Sequence, residues 1–310
     1  MTHWKLTFAY DGTPYHGWQV QPGLPTIQGA LADAIYRTTS ERVLPQGSGR
    51  TDAGVHALAQ VASFALAAPI PPDRLQRALN QCLPPSIRVL NAEIAPPNFH
   101  ARHCALRKTY EYRIFPLRPQ SPQLRLTGPQ YGGSIPMSRS RDMGHPNERI
   151  ADAPDRICPP TLAPYVWPCP WPLSLDLLNQ AAAHILGTHD FTTLAATDPD
   201  QSSRTESEEP AKTAIRTIHE SRWHAHEELF IYRVTGSGFL HHMVRNLVGT
   251  FVQAGAGRLD PDAIPSLIAA RSRALCGPTA PATGLFLVGA EYPEPVPCAE
   301  QRTTEHRQLP

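Results

Sequence analysis

The sequence predicts an α+β fold built on a largely antiparallel sheet. Segments with alternating apolar and polar residues, a pattern typical of half-buried strands, are interleaved with segments in which apolar residues recur every three or four positions. Over residues 4–94 the order is strand, helix, strand, helix, strand, which is the order of an α+β domain. A chain of 310 residues, 41% of them hydrophobic, can bury one or two cores of ordinary size.

The N-terminal elements follow from apolar spacing and from residues that begin or end helices. The Thr26 side chain can cap the first helix, and the second begins at Pro72 and is stopped by Pro84. The predicted elements are, in order, a strand over 4–10, a helix after Thr26, a strand over 59–66, a helix over 72–83, and strands over 87–94 and 105–115.

The C-terminal elements are assigned in the same way. Ser174 caps a helix that Gly187 closes, with Ile185 and Leu186 facing inward. A hairpin of strands over 215–223 and 229–234 follows. The most clearly helical stretch runs from Gly236, and its buried stripe comprises Leu240, Val244, Leu247 and Phe251. The last elements are a helix opened by Asp260-Pro261 and a strand over 284–288.

Three segments lack this periodicity. Residues 117–163, dense in Pro, Ser, Arg and Gly, are predicted to form a flexible insertion, because they contain too little apolar surface to order themselves. Their Ser138–Arg141 run could contact RNA, or it could be part of a solvated linker. Residues 198–211 are expected to be a surface loop, and the tail over 293–310 to be disordered.

Composition limits the classes of protein to consider. The net charge of +1 gives no global attraction to nucleic acid, so any RNA site must be a local basic patch. We see no apolar run long enough to span a bilayer and no signal peptide, which predicts a cytoplasmic protein that has no membrane partner. The six cysteines show no metal-ligand spacing and are interpreted as reduced thiols.

The glycine-rich run over 47–57 contains one carboxylate, Asp52, with Arg50 two residues before it. Glycines allow positive φ and the close approach of another molecule, and a loop that precedes a strand is a common place for a catalytic side chain. The simpler interpretation is that Asp52 is a turn residue that accepts a bond from a backbone N–H.

A second candidate region joins Phe99-His100-Ala101-Arg102 to the strand over 105–115, in which Tyr110 and Tyr112 share one face and basic residues lie on either side of them in sequence. Cations next to aromatic rings are typical of nucleic-acid surfaces, where the cations bind phosphates and the rings stack on bases. Taken alone, the segment is better interpreted as an ordinary amphipathic strand.

Three signatures resemble those of the TruA family of tRNA pseudouridine synthases. They are the run GRTDAGVHA within 47–57, the FHAR and Tyr-x-Tyr strings within 99–112, and the run HHMVRN within 238–249. The resemblance implies two ferredoxin-like halves, at 1–116 and 164–292, that form one continuous mixed, mostly antiparallel sheet with helices on one face. It also implies an RNA-binding cleft between the halves.

The resemblance further implies the roles of individual residues. Asp52 would be the catalytic nucleophile, or would assist removal of the 2′ proton, with Arg245 as its ionic partner. Tyr110 would stack on the target base, and Arg50 would bind RNA phosphate or shape the loop. The expected substrate is tRNA, modified on the 3′ side of the anticodon stem-loop at tRNA positions 38, 39 and 40. A homodimer is expected, and the reaction requires no cofactor and no metal.

Other functions need to be weighed against this one. A non-catalytic RNA-binding module would use the same basic and aromatic surfaces without needing Asp52. A metal-dependent hydrolase could be imagined from His224-x-His226-Glu227, although no third ligand lies at credible spacing. A pseudouridine synthase of another family would share the aspartate but lack HHMVRN. His241 and His242 are given no ligand role, because no carboxylate lies at metal-ligand spacing from them in the sequence.

Overall fold

The computed structural model describes residues 1–118, 156–196 and 213–294. The strands are β1 (Thr2–Tyr10), β2 (Gln46–Gly47), β3 (His56–Leu66), β4 (Ile87–Ala95), β5 (Arg107–Pro116), β6 (Trp167–Cys169), β7 (Gly187–Asp190), β8 (Ile215–His226), β9 (Leu229–Gly236) and β10 (Leu285–Glu291). The helices are α1 (Ile27–Thr39), α2 (Pro72–Cys82), α3 (Leu175–Ala183), α4 (Met243–Gly255) and α5 (Ile264–Ala269).

The strands form a single sheet in the order β4-β1-β3-β10-β5-β9-β8-β7, with β2 added to β3 and β6 added to β5. Two pairs are parallel, β10 with β3 and β5 with β6, and the other pairs are antiparallel. The predicted α+β class with a mixed, mostly antiparallel sheet is confirmed.

The last strand, β10, joins distant parts of the sequence. It lies between β3 and β5, pairing Phe286 with His56 on one side and Leu287 with Tyr110 on the other. The first four strands of the sheet order are three N-terminal strands and the C-terminal β10. The last four are the N-terminal β5 and three C-terminal strands. Because β3 follows the Asp52 loop and β5 carries Tyr110, β10 sets the distance between the two candidate site regions.

One apolar cluster joins the helices to the buried face of the sheet. In β1 the alternation works as predicted, since Trp4, Leu6 and Phe8 are completely buried. A smaller cluster on β3, β4 and the 99–104 loop includes Val61, Ala95 and Phe99. Burial of this size is the main favourable contribution to folding, at roughly 25 cal/mol per Å² of apolar surface.

Two predicted details are wrong, each for a local reason. The helix predicted to run from Gly236 begins only at Met243, because β9 extends to Gly236 and His242 has a left-handed backbone (φ 58°). Leu186 is 45% exposed rather than buried, because α3 ends at Ala183 and Gly187 already begins β7. The predicted last helix begins as a 3-10 turn over Pro261–Ala263 before α5.

Several expectations fall outside the described residues. These are most of the insertion at 117–163, the loop at 198–211 and the tail at 293–310. The boundaries of the two predicted halves stay a prediction. Within 1–118, 156–196 and 213–294, no helix has the length and apolar character that a bilayer crossing requires. The cysteines in these ranges are free thiols.

Candidate active site

The loop that carries Asp52 is held in place by the end of β1 and by the segment that follows it. The Tyr10 hydroxyl and Thr51 Oγ1 lie 2.8 Å apart, and the Trp18 N–H donates to the Thr51 carbonyl at 3.0 Å. Gly17 passes beneath this carbonyl with φ at 86°, and a Cβ there would lie 2.6 Å from the Thr51 oxygen. Only glycine meets both requirements.

A buried polar network holds the other end of the loop. Gln60 on β3 donates from Nε2 to the Gly49 carbonyl at 2.9 Å and accepts from the Ser48 hydroxyl at 2.5 Å. The Ser48 N–H donates to the Val61 carbonyl at 2.7 Å. Because both ends are bonded to the sheet or to the segment after β1, the Asp52 side chain projects from a rigid support.

Asp52 and Arg245 are in direct contact. Arg245 on α4 donates from Nη1 to Asp52 Oδ2 at 2.8 Å, and from Nε to the Ala280 carbonyl at 2.8 Å. The side chains are 21% and 16% exposed, so the pair is partly shielded from water but open to the cleft. A charge-assisted contact of this length limits the orientation of the carboxylate.

Sequence reasoning gave no role to two histidines that also face Asp52. His242 Nε2 lies 3.2 Å from Asp52 Oδ2, and His241 Nε2 lies 3.5 Å from Oδ1. The two imidazole rings are stacked with their centroids 3.9 Å apart. Burial lowers the pKa of His242, as do His241, Arg245 and Arg273, while Asp52 opposes the shift. The sequence did not reveal this contact, because the carboxylate near the two histidines belongs to Asp52 in a distant loop and not to a neighbouring residue of the chain.

Asp52, His241 and His242 each offer a ligand atom, and these atoms lie within 4.8 Å of one another. A divalent cation could use such a set, but the Arg245 guanidinium occupies Asp52 Oδ2 and opposes a second positive charge. The negative charge of Asp52 is therefore paired with Arg245, a cation of the protein itself. The alternative ligands His224 and His226 lie at the end of β8, and no third ligand joins them among the described residues.

Tyr110 forms one wall of the site. Its side chain is 7% exposed, and its ring contacts Phe239 edge-on at a centroid distance of 5.1 Å. The hydroxyl lies 3.6 Å from the position that a Cβ on Gly49 would occupy, which places it over the loop. Burial is the main cause of a raised Tyr110 pKa, and Tyr10 and Asp52 add to it, so the phenol stays protonated at neutral pH.

A cleft of about 170 Å³ connects these groups. Its lining includes Asp52, Tyr110 and three cationic side chains, Arg50, Arg102 and Lys108. Burial lowers the pKa of Lys108 to about 8, with Arg102 and Arg216 contributing. The cleft therefore combines one carboxylate, an aromatic wall and a concentration of positive charge, which suits a nucleotide. Phe239 and Arg216 were not identified from the sequence.

Comparison with known proteins agrees with this geometry. The profile of a family described as tRNA pseudouridine synthase matches residues 6–103 and 181–293. Similar proteins include tRNA pseudouridine synthase A of Solibacter usitatus, 42% identical over 93% of this chain and 98% of that protein. The enzyme of the same name from Moorella thermoacetica is 39% identical over 93% and 98% of the two chains. The chain therefore belongs to the TruA family of tRNA pseudouridine synthases, which are isomerases.

Proposed function

We propose that this protein isomerises uridine to pseudouridine in tRNA, on the 3′ side of the anticodon stem-loop. The observation that carries the proposal is the Asp52 carboxylate, which lines a cleft of about 170 Å³ while its Oδ2 is held by Arg245 at 2.8 Å. A non-catalytic RNA-binding module would have no use for a carboxylate within a basic cleft, because it would repel phosphate.

The chemistry needs few groups. Pseudouridine formation breaks the N1–C1′ bond, turns the uracil and joins C5 to C1′; the C5 proton is lost and N1 gains a proton. No electron leaves the substrate and no group is transferred to a second molecule, so no cofactor is required. Ionised Asp52 would begin the reaction by attack on C1′ or by assisting removal of the 2′ proton. The proposal leaves this choice open.

Tyr110 would replace the stacking that the target base loses. A uridine in a stem must leave the helix to reach Asp52, which costs a few kcal/mol. The Tyr110 ring is fixed edge-on against Phe239 and lines the same cleft as Asp52. Stacking on an aromatic side chain contributes roughly 1–3 kcal/mol per base.

The basic side chains at the cleft would bind phosphates next to the flipped nucleotide. Arg50 lies in the Asp52 loop, while Arg102 and Lys108 line the cleft beside Tyr110. With a net charge of only +1, the protein would rely on this local patch rather than on a general field to attract RNA.

A homodimer is part of the proposal. One subunit would hold the body of the tRNA while the other modifies the anticodon arm. Analytical ultracentrifugation of the full chain would give a mass twice that of one chain, whereas a monomer that remains fully active would contradict this part.

The test of the proposed function is to map pseudouridine in tRNA from a strain that lacks the gene. We expect modification on the 3′ side of the anticodon stem-loop to disappear and to return with the wild-type gene, but not with Asp52→Asn. Modification that persists in the deletion strain, or that returns with Asp52→Asn, would contradict the proposal. Loss of pseudouridine at other tRNA sites would support the reaction and refute the assigned position.

A further inference from the structure

His242 has an unfavourable backbone conformation at the edge of the cleft. Four non-glycine residues in the described ranges have positive φ, namely Ser40, Glu227, His242 and Arg271, and His242 is the one that lines the cleft. A left-handed backbone is unfavourable for a non-glycine residue, so the rest of the structure must impose it.

The conformation is not explained by helix capping. His242 occupies the N-cap position of α4, but its side chain makes no capping hydrogen bond. Its backbone carbonyl accepts from the Asn246 N–H at 2.9 Å, as any residue at this position could. The left-handed turn instead leaves the imidazole stacked on His241 and directed at Asp52, with Nε2 3.2 Å from Oδ2.

The two oxygens of Asp52 have different surroundings. Oδ2 has two close partners, Arg245 Nη1 at 2.8 Å and His242 Nε2 at 3.2 Å. On the other oxygen, His241 Nε2 lies 3.5 Å from Oδ1, which is beyond a normal hydrogen bond. Oδ2 is therefore the crowded oxygen of the carboxylate, hydrogen-bonded to Arg245 and in contact with the His242 imidazole.

We infer that His242 is a positioning residue that, together with Arg245, anchors Asp52 Oδ2 and presents Oδ1 as the reacting oxygen. The inference rests on the proposed function, since it concerns how that reaction is set up. The guanidinium limits the carboxylate from one direction and the imidazole from a second. Two neighbours on one oxygen restrict rotation of the carboxylate about the Cβ–Cγ bond more than Arg245 alone would.

The decisive variant is His242→Gly, because glycine accepts a left-handed backbone without strain. If His242 served only to start α4, this change would leave activity intact and the melting temperature unchanged or higher. We expect that stability but a fall in kcat of roughly 10- to 100-fold, as misplacement of a reacting group by about 1 Å can cause. The KM for tRNA should stay within about twofold, because the phosphate contacts are untouched.

Two further substitutions separate the effect of side-chain length from the effect of the left-handed backbone conformation. His242→Asn tolerates the left-handed conformation but has a shorter side chain, so its kcat should resemble that of His242→Gly. His242→Gln can place an amide N–H near the position of Nε2 and should recover part of kcat despite a lower melting temperature. The matched control is Ser40→Gly, which relieves a similar φ of 61° at the end of α1 and should leave kcat unchanged.

The outcomes are distinct. Wild-type kcat in folded His242→Gly would overturn the inference while leaving the proposed function in place. If that variant does not fold, folded His242→Asn takes its place in the same comparison. A loss that appears in KM rather than in kcat would also overturn it, because it would assign His242 to RNA binding. Absence of pseudouridine formation by the wild-type protein would instead overturn the proposed function itself.

Discussion

Arg245 Nη1 donates to Asp52 Oδ2 at 2.8 Å across 193 positions of sequence, and the same guanidinium donates from Nε to the Ala280 carbonyl at 2.8 Å. Arg245 in turn accepts from the Ala280 N–H through its backbone carbonyl at 3.1 Å. Arg245 is thus bonded to Ala280 through both its backbone and its side chain. Its geometry, as well as its charge, determines where Asp52 points.

Arg245→Lys should separate geometry from charge. Lysine keeps the positive charge but cannot bond Ala280 and Asp52 with the planar fork of a guanidinium. We expect kcat to fall about 100-fold with little change in tRNA affinity, as for a catalytic group moved by about 1 Å. Single-turnover release of tritium from tRNA labelled at C5 measures this. Unchanged turnover in Arg245→Lys would show that charge alone is sufficient.

Tyr110 should contribute chiefly through its ring. Tyr110→Phe keeps the ring that packs against Phe239 and should keep the tRNA dissociation constant, whereas Tyr110→Ala should weaken binding by roughly 1–3 kcal/mol. Filter binding to unmodified tRNA gives both values. An inactive Tyr110→Phe that still binds would add a chemical role for the hydroxyl. Equal affinities for the alanine and wild-type proteins would contradict the stacking role.

Gly17→Ala should destabilise the protein through the Asp52 loop. The new methyl group would meet the Thr51 carbonyl oxygen at 2.6 Å in addition to the strain of φ at 86°. Gly23→Ala is the matched control, since Gly23 also has positive φ (74°) but nothing lies within 4 Å of its Cβ position. Thermal denaturation should show that Gly17→Ala lowers the free energy of unfolding by about 1–3 kcal/mol more than Gly23→Ala does. Equal losses would mean that the loop yields without cost.

Binding of tRNA should depend on pH through Lys108. Burial, with Arg102 and Arg216, lowers the pKa of Lys108 to about 8, so its ammonium is charged below that pH and neutral above it. Affinity should therefore fall as pH rises through about 8 to 9, and Lys108→Met should abolish this dependence and reduce the salt slope by about one unit. Lys5→Met, which removes a lysine that does not line the cleft, is the control. The same pH dependence in Lys108→Met would refute the assignment.

Much of the fold could be predicted from the sequence because its signals are local. The alternation in β1, the Thr26 and Ser174 caps and the prolines around α2 act within a few residues. The position of β10 between β3 and β5 could not be predicted, because strand pairing depends on contacts across most of the chain. A single sequence carries no local signal for such a pairing.

The same distinction applies to the site. Asp52, Tyr110 and Arg245 were predicted as site residues because each lies in a signature that resembles the family. The histidines were missed because the carboxylate that they face comes from another part of the chain, and because the left-handed turn at His242 replaces the predicted helix. The lowered pKa of Lys108 could not be predicted from the sequence, because it depends on burial and on the nearby Arg102.

The most direct test of the central claim is tritium release from C5-labelled tRNA by Asp52→Asn, together with its tRNA affinity. Asparagine keeps the size of the side chain but lacks the negative charge and the nucleophilic oxygen. We predict no release above background with a dissociation constant close to that of the wild-type protein. Release at the wild-type rate would contradict the claim that Asp52 is the reacting group.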